Sequence, residues 1–353
     1  MSVPSSHVRC SFVPPAVIEH LARSSSVDTP DPGAAQRTAV LTQQLRDLRQ
    51  SASPDLPSAR TTVVSPRPTK GDRAVYDDEN TANFDVQLVR GEGDPAVEAR
   101  NVNQAYDYAG AARDYFRTEH GRDSIDHNGM TVTVNVNFDV DFLNAFWDGV
   151  RLVLGNGDGE VFVDFAASPD VMGHELSHGV VQFTANLQYK GQSGALNESF
   201  SDVFGSLIEQ RVRGEDFDSA NWLIGDEIMA EGLYGEALRS MAHPGSAYDN
   251  ALLGKDPQPD HMSGYYDGPK DNYGVHINSG IVNRAFYLTA SELGTDSAGR
   301  IWYAGLQNLW PTATFADAAQ VLSAQARILA RDRKVDRQAA QAVRGAFRTV
   351  GIL

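Results

Sequence analysis

The chain has 353 residues, 41% of them hydrophobic, which is enough for one large domain with an appendage or for more than one domain. Its net charge of −16 argues against nucleic acid as a general partner, because neutralising phosphates needs a basic surface. Cys10 is the only cysteine, so an intrachain disulfide and a cysteine-rich zinc site are both excluded.

The sequence offers neither a membrane span nor an ordinary signal peptide. No apolar run approaches the ~18 residues of a membrane helix. The apolar stretch 12–18 is short and contains two prolines. We therefore expect synthesis in the cytoplasm and no membrane partner, with any export following a non-standard route. The final location stays open.

Residues 1–57 differ in composition from the rest. Stretches 17–21 and 40–48 have the apolar spacing of helices, and a Ser/Pro/Asp/Gly-rich linker, 24–33, separates them. A second Pro-rich stretch, 51–70, follows. The composition fits a small tethered appendage, and a disordered tail is the alternative.

From residue 74 the pattern indicates β-structure with one helix. Strand-like residues lie at 86–89, and 101–117 predicts a helix. The stretch Met130–Phe138 alternates apolar and polar residues, which predicts a half-buried strand. Val161–Phe165 predicts another short strand, leading directly into the next helix.

The predicted helix 170–185 carries the pattern H-E-x-x-H, and Asp170 is expected to cap its N-terminus. His174 and His178 are four residues apart, so they lie on one helix face about 6 Å apart along the axis. Both imidazoles can then reach one zinc ion, while Glu175 reaches the water bound to it. Taken alone, the pattern also occurs by chance in surface helices with two solvated histidines.

The remainder is predicted to be helical, with helices at 196–212, 279–292, 299–309, 315–330 and 336–350. Within the first of these, Glu198 is a third zinc ligand candidate, since a catalytic zinc takes three protein ligands and one open position. Asp202 shares the helix face of Glu198 and is expected to accept a hydrogen bond from a ligand imidazole, that of His174, which fixes its tautomer. The alternative is two carboxylates on an exposed helix face.

Four ordered stretches resemble the thermolysin-like metallopeptidases. They are Asn144-Ala145-Phe146-Trp147-Asp148-Gly149, His174–His178, Gly194–Asp202 and Asp271–Gly280. The match spans roughly residues 74–353. It implies a two-lobed α+β fold, in which a β-rich lobe (58–185, including the H-E-x-x-H helix) and an α-helical lobe (186–353) meet at a cleft. Residues 1–57 would be a short prosegment.

The resemblance implies a zinc-dependent neutral endopeptidase. His174, His178 and Glu198 would bind zinc, and Glu175 would take a proton from the zinc-bound water, whose pKa is lowered to about 7, and pass it to the leaving amine.

Further roles follow from the same resemblance. His276 and Tyr189 would donate hydrogen bonds to the oxyanion, each worth about 3 kcal/mol. Asp271 would orient His276, and Asn197 joins Asp202 among the residues that support the site.

Substrate contacts are implied as well. Asn144 and the Ala145 backbone would hold the peptide as an added strand, and Arg239 would bind the carbonyl beyond the scissile bond. The pocket for the residue after that bond would be lined by Phe162, Phe165, Val171, Ile224, Ile228 and Leu238. This apolar lining predicts cleavage before Leu, Ile, Phe or Val.

The match departs from the family at a calcium cluster. Asp170, Glu209, Asn221 and Asp226 occupy positions of calcium ligands, but Leu223 stands where a shared Glu is usual. Calcium prefers about six to eight oxygens. One weak calcium site or none fits the sequence equally.

The N-terminal stretch Cys10-Ser11-Phe12-Val13-Pro14-Pro15 resembles the protealysin-like branch of the family. We therefore expect an inhibitory prosegment that is removed by cleavage within 51–70. Either Cys10 binds the zinc as a thiolate latch, or it packs as a small apolar residue and Pro14-Pro15 block the site.

The sequence thus predicts a monomeric zinc endopeptidase made as a zymogen, acting on proteins or peptides and inhibited by its own prosegment. A catalytically silent zinc-fold binding protein is the alternative, against which the intact Glu175, His276 and Tyr189 argue. A peptidase inhibitor or partner acting through the acidic surface is a third reading, and it predicts no bound zinc.

Overall fold

The computed structural model of the chain describes residues 11–24, 33–50 and 71–353. The helices are α1 (Pro15–Ser24), α2 (Ala34–Gln50), α3 (Arg100–His120), α4 (Pro169–Gln182), α5 (Gly191–Arg213), α6 (Lys270–Leu293), α7 (Thr295–Leu306), α8 (Phe315–Arg331) and α9 (Ala339–Thr349). The strands are β1 (Arg73–Thr81), β2 (Gln87–Gly91), β3 (Val132–Phe138), β4 (Ala145–Trp147), β5 (Leu152–Leu154), β6 (Leu223–Ile224), β7 (Arg239–Ser240), β8 (Asp249–Asn250) and β9 (Gly254–Lys255). Within these ranges no helix is long and apolar enough to cross a membrane.

The first half is built on a five-stranded mixed sheet in the order β2-β1-β3-β5-β4. The central strands β1, β3 and β5 run parallel to one another. The edge strands are antiparallel to their partners, β2 to β1 and β4 to β5. Val132, Val134, Val136 and Phe138 of β3 are buried as predicted, but Asn135 on the polar face is buried too, so the strand is covered on both faces there. α3 packs on the sheet, and edge strand β4 lies against α4.

The second half is helical, with α6 packed against α5, α7 and α9. The expected α+β architecture, β-rich first and α-helical second with the H-E-x-x-H helix between, is confirmed. One predicted strand is wrong. In Val161–Phe165, Phe162 forms an isolated bridge to Met229, and Phe165 begins a short 3₁₀ turn capped by the Asp164 side chain. A short apolar run carries too little periodicity to tell a strand from such a segment.

Two glycines set the close crossing of α4 and α5. A Cβ at Gly173 would lie 2.9 Å from the Cα of Gly205, and a Cβ at Gly205 would lie 2.7 Å from the Asp170 carbonyl oxygen. Without side chains there, the two backbones approach each other directly. The residues two turns before Gly205 on α5, Glu198 among them, are thereby held against the histidines of α4.

The start of α4 differs from the prediction. Ser168 is the residue that precedes the helix, and Asp170 lies inside its first turn, fully buried. The Asp170 carboxylate accepts hydrogen bonds from the Ser168 hydroxyl and from the Gly225 backbone 2.6 Å away. Asp170 therefore ties α4 to β6 instead of capping α4 alone.

The N-terminal segment packs on the rest of the chain. Helices α1 and α2 contact each other. Five apolar residues of this segment are buried in the main hydrophobic core: Phe12, Val13, Val17, Ile18 and Leu21. The described part of this segment is thus an appendage seated on the protein. Cys10 and the expected cleavage stretch 51–70 lie outside the described residues.

Candidate active site

The three predicted zinc ligands converge at the crossing of α4 and α5. The Nε2 atoms of His174 and His178 are 2.9 Å apart, and the Glu198 carboxylate lies 3.6 Å from each. All three side chains are buried. Among the described residues, no other group of three or more His, Cys, Asp or Glu has its ligand atoms within 4.8 Å of one another.

The hydrogen bonds made by the Nδ1 atoms of the two imidazoles leave their Nε2 atoms free to bind a metal. His174 Nδ1 donates to Asp202 Oδ1 at 2.8 Å, and His178 Nδ1 donates to Asn197 Oδ1 at 2.9 Å. With the protons on Nδ1, both Nε2 atoms carry lone pairs that face each other, which is unfavourable unless a cation lies between them. Glu198 Oε2 is also buried without a hydrogen-bond partner. Two imidazole nitrogens and a carboxylate are a donor set that suits zinc.

Asp202 is held as an anion beneath the site. Burial by itself would raise its pKa, but the Arg239 guanidinium and the His174 ring outweigh burial and hold the pKa below its usual range. Arg239 donates to both carboxylate oxygens, at 2.8 to 3.1 Å, and Asn283 Nδ2 donates to Oδ2 at 2.8 Å. Asp202 therefore remains an acceptor that fixes the His174 tautomer, as its place on α5 predicted.

Glu175 is fully buried beside the ligands. Its Oε2 accepts a hydrogen bond from the Trp147 backbone at 2.6 Å, while Oε1 is buried with no hydrogen-bond partner. Burial, followed by the nearby Glu198 carboxylate, raises the pKa of Glu175 well above its ordinary value. A carboxylate oxygen that is fixed in place and left unpartnered is suited to bind and deprotonate a water.

His276 and Tyr189 lie next to Glu198. The Tyr189 hydroxyl donates to Glu198 Oε1 and lies 3.1 Å from His276 Nε2. His276 Nδ1 donates to Asp271 Oδ1 at 2.5 Å, and its Nε2 donates to the Ser11 carbonyl at 3.0 Å. Burial lowers the pKa of His276, but Asp271 and Glu198 outweigh burial and raise it. Acceptors at both nitrogens match a ring that carries both protons.

A strained turn positions Asp271 next to His276. Asp271, Asn272 and Tyr273 have left-handed φ angles of 54°, 49° and 65°, and Gly274 follows with 78°. Such conformations cost non-glycine residues roughly 1–3 kcal/mol each. Asp271 Oδ2 offsets part of this cost by accepting a hydrogen bond from the His276 backbone at 2.8 Å. The regular helical part of α6 begins after Gly274, just before His276.

The chain's own residues 11–13 lie across this site. Phe12 N donates to the Ala145 carbonyl at 2.9 Å, and Val13 N donates to Asn144 Oδ1 at 2.8 Å. Asn144 Nδ2 donates back to the Val13 carbonyl at 3.3 Å. The segment therefore runs along β4 like an added strand.

The carbonyl groups of this segment are held as well. Arg239 Nη1 donates to the Phe12 carbonyl at 3.0 Å, while the Ser11 carbonyl accepts the bond from His276 described above. The Phe12 ring meets the His174 ring edge-on, with 5.0 Å between centroids, and Arg239 lies over its face. Each predicted substrate-gripping group thus has a partner in the N-terminal segment.

Phe12 fills an apolar recess and is fully buried. A Cβ placed at Gly225 would lie 3.0 Å from Phe12 Cε1 and 3.3 Å from Leu238 Cδ1, so glycine there leaves room for the ring. All the residues predicted to line the pocket are buried in one hydrophobic cluster: Phe162, Phe165, Val171, Ile224, Ile228 and Leu238.

The hydrogen bonds between this segment and the site do not come from Pro14-Pro15, and the alternative that these prolines block the site stays open. Hydrogen bonds to the site come from Ser11, Phe12 and Val13, whereas Pro15 begins α1 and the Pro14 carbonyl accepts the first hydrogen bonds of that helix. Both prolines still lie next to the site, since Pro14 lines a small pocket with Arg239 and His276, and Pro15 lines another with Asn144. Whether Cys10 also binds zinc concerns a residue outside the described part, and that alternative stays open.

The predicted calcium residues are engaged with other partners. Arg213 Nε donates to Glu209 at 2.9 Å, and Arg213 also pairs with Glu227. Burial and the neighbouring carboxylates raise the pKa of Asp170 to about 6 and that of Glu209 to about 9. Asn221 is exposed and donates to Asp226 Oδ2 at 2.9 Å. A guanidinium therefore supplies part of the positive charge that calcium would bring.

Several contacts at the site were not predicted from the sequence. Phe12, Gly225, Asn283 and the Trp147 backbone reach the site through chain crossings that spacing does not reveal.

Comparisons with known proteins agree with this geometry. Residues 58–182 match the family model "Thermolysin metallopeptidase, catalytic domain", and residues 185–352 match "Thermolysin metallopeptidase, alpha-helical domain". An extracellular metalloprotease of Pectobacterium carotovorum subsp. carotovorum is 42% identical over 300 residues, 83% of each chain. Protease PrtS of Photorhabdus sp. (strain Az29) is 45% identical over 264 residues, 73% of this chain and 71% of that protein.

A solved structure is similar along nearly the whole length. It is the precursor of protealysin, a metalloproteinase from Serratia proteamaculans, with a TM-score of 0.85 and 39% identity. The alignment covers 98% of this chain and 100% of that one.

Proposed function

Because this chain belongs to the thermolysin family of metallopeptidases and is a zinc endopeptidase, we propose that it is synthesised as a zymogen whose residues 11–13 occupy the substrate cleft. The observation that carries the proposal is the set of main-chain hydrogen bonds from Ser11, Phe12 and Val13 to the groups expected to grip a substrate. The similar protealysin structure is that of a precursor, which supports the proposal.

The direction of the segment supports the proposed mechanism. With the Ser11 carbonyl on His276 and Phe12 N on the Ala145 carbonyl, the Ser11–Phe12 bond stands where a scissile bond would lie. In a substrate, His276 and Tyr189 would donate to the developing oxyanion at that carbonyl. Asp271 would keep the His276 ring oriented and charged.

Glu175 would serve as the base and then as the acid. Its unpartnered Oε1 would accept a proton from the attacking water and deliver it to the leaving amine. Zinc bound by His174, His178 and Glu198 would polarise that water and lower its pKa to about 7. The hydrogen bond from the Trp147 backbone to Oε2 would hold the carboxylate still between the two transfers.

The recess that holds Phe12 supports the proposed specificity. A fully buried aromatic ring directly after the bond in the scissile position indicates a pocket for bulky apolar side chains. We expect cleavage before Leu, Ile, Phe or Val, with Arg239 binding the carbonyl of that residue.

Two measurements test the proposal. Digestion of casein by the zinc-loaded chain after removal of its N-terminal segment is expected to produce new N-termini at bulky apolar residues. Glu175→Gln, which keeps the shape of the side chain but loses its base, should abolish the digestion. Cleavage before charged residues would reject the specificity.

N-terminal sequencing of the active species tests the zymogen. We expect it to begin within 51–70. An active species that retains residues 11–13 would contradict the inhibitory role of the segment.

A further inference from the structure

The helices α8 and α9 form a cleft that is separate from the zinc site. It has a volume of about 750 Å³ and an apolar floor that includes Ala319, Val321 and Ala324. Arg327, Arg344 and Arg348 line it. Neither helix supplies a residue to the active site described above.

The charge around this cleft is opposite to that of the chain. Residues 327–348 contain seven basic and two acidic residues, while the rest of the chain has 23 basic and 44 acidic ones. The local net charge is therefore +5 against −21 elsewhere. A concentrated basic patch on an acidic protein raises the local potential and attracts anionic partners.

The arginines of this cleft, of which Arg344 is half-buried and Arg327 and Arg348 are exposed, differ from the buried arginines of the protein in their partners. Arg113 pairs with Glu92 at 3.1 Å and Arg239 pairs with Asp202 at 2.8 Å. By contrast, none of the guanidinium groups of Arg327, Arg344 and Arg348 forms an ion pair or hydrogen bond with any residue in the ranges that the structure describes. Three arginines that line one cleft without partners leave guanidinium donors free, and the carboxylates of a guest could pair with them through bidentate hydrogen bonds.

We propose that this cleft is a docking site for an acidic segment of a partner protein, in which carboxylates alternate with small apolar side chains. The carboxylates would pair with the three arginines while the apolar side chains lie on the alanine floor.

The lining favours a peptide over two other anionic partners. The cleft has no aromatic side chain on which a nucleotide base could stack. Its lining has one large exposed apolar side chain, Leu353, whereas a membrane-binding face presents several that protrude into lipid.

Binding of a defined probe tests the proposal without relying on turnover. The probe is a fluorescein-labelled peptide of alternating Glu and Ala, read by fluorescence anisotropy on the zinc-loaded Glu175→Gln chain, which cannot consume it. A peptide with Gln in place of Glu is the neutral comparison. We expect the acidic peptide to bind at least about tenfold more tightly than the neutral one, and raising the salt concentration should weaken its binding.

Charge reversal locates the site. The triple variant Arg327→Glu/Arg344→Glu/Arg348→Glu should weaken binding by at least about tenfold. The control triple Arg333→Glu/Lys334→Glu/Arg337→Glu makes the same charge change on exposed residues of the connection between the helices, outside the cleft lining. If Arg344→Glu impairs folding, the double variant of the two exposed arginines, Arg327→Glu/Arg348→Glu, replaces the triple.

Three results would overturn the proposal. The first is no binding of the acidic peptide, and the second is equal loss in the two triple variants. The third is tighter, cleft-dependent binding of an anionic lipid vesicle or of a single-stranded oligonucleotide than of the peptide.

Discussion

Replacing Phe12 by alanine should release the active site of the uncleaved chain. The Phe12 ring is fully buried, meets the His174 ring at 5.0 Å and lies under Arg239. Truncating a buried Phe to Ala typically costs about 3–5 kcal/mol, because apolar contacts are lost and a cavity remains. If that energy holds the segment in the cleft, the equilibrium between closed and open forms shifts by roughly 150- to 5,000-fold toward the open form.

The assay is the initial rate of hydrolysis of a fluorogenic peptide with Leu after the cleavable bond. Rates are taken before any processing, and mass spectrometry verifies that the chain is still full length. The uncleaved Phe12→Ala chain should be at least about 100-fold more active than the uncleaved parent, up to the activity of the mature enzyme.

Val40→Ala is the matched control, since Val40 lies in α2 of the same segment and is 50% exposed. Its effect should stay within about 0.5 kcal/mol, a factor of about two in rate. Equal rates for the folded Phe12→Ala chain and the parent would refute the reasoning, because the ring would then contribute nothing to closure.

Three further predictions concern the site and its surroundings. Asp202→Asn removes the anionic acceptor for His174 Nδ1 and should weaken zinc binding about 10- to 100-fold, measured by competition with a chromophoric chelator. An unchanged zinc affinity would mean that Asp202 does not fix the tautomer of His174. Gly225→Ala places a methyl group against the Phe12 recess, so kcat/KM for peptides with Phe after the cleaved bond should fall about tenfold relative to Ala there, and an unchanged ratio would place the pocket elsewhere. Millimolar calcium should leave Tm of the zinc-loaded protein unchanged, since Arg213 already pairs with Glu209; a rise of about 3 °C or more would reveal an occupied site.

Helix-face arguments predicted the part of the site that depends on local geometry. Spacing by four residues placed His174 and His178 on one face, and the same spacing placed Asp202 beneath His174. The sequence could not show why α4 and α5 approach so closely, because the cause is a backbone contact between Gly173 and Gly205, 32 residues apart.

Other features escaped the sequence for different physical reasons. The left-handed turn at Asp271–Gly274 has no periodic pattern, although it determines where His276 points. The strand expected at Val161–Phe165 is replaced by an isolated bridge and a 3₁₀ turn, since an apolar run of that length fits either conformation. The role of Phe12 depends on contacts more than 130 residues away along the chain, such as the hydrogen bond to Ala145.

The most direct test of the central claim is an anomalous difference map recorded at the zinc absorption edge from crystals of the zinc-loaded protein. We predict one strong peak between the Nε2 atoms of His174 and His178 and the Glu198 carboxylate, at about 2.0–2.2 Å from each ligand atom. A map with no peak there, or with the zinc bound by other side chains, would contradict the assignment of this site.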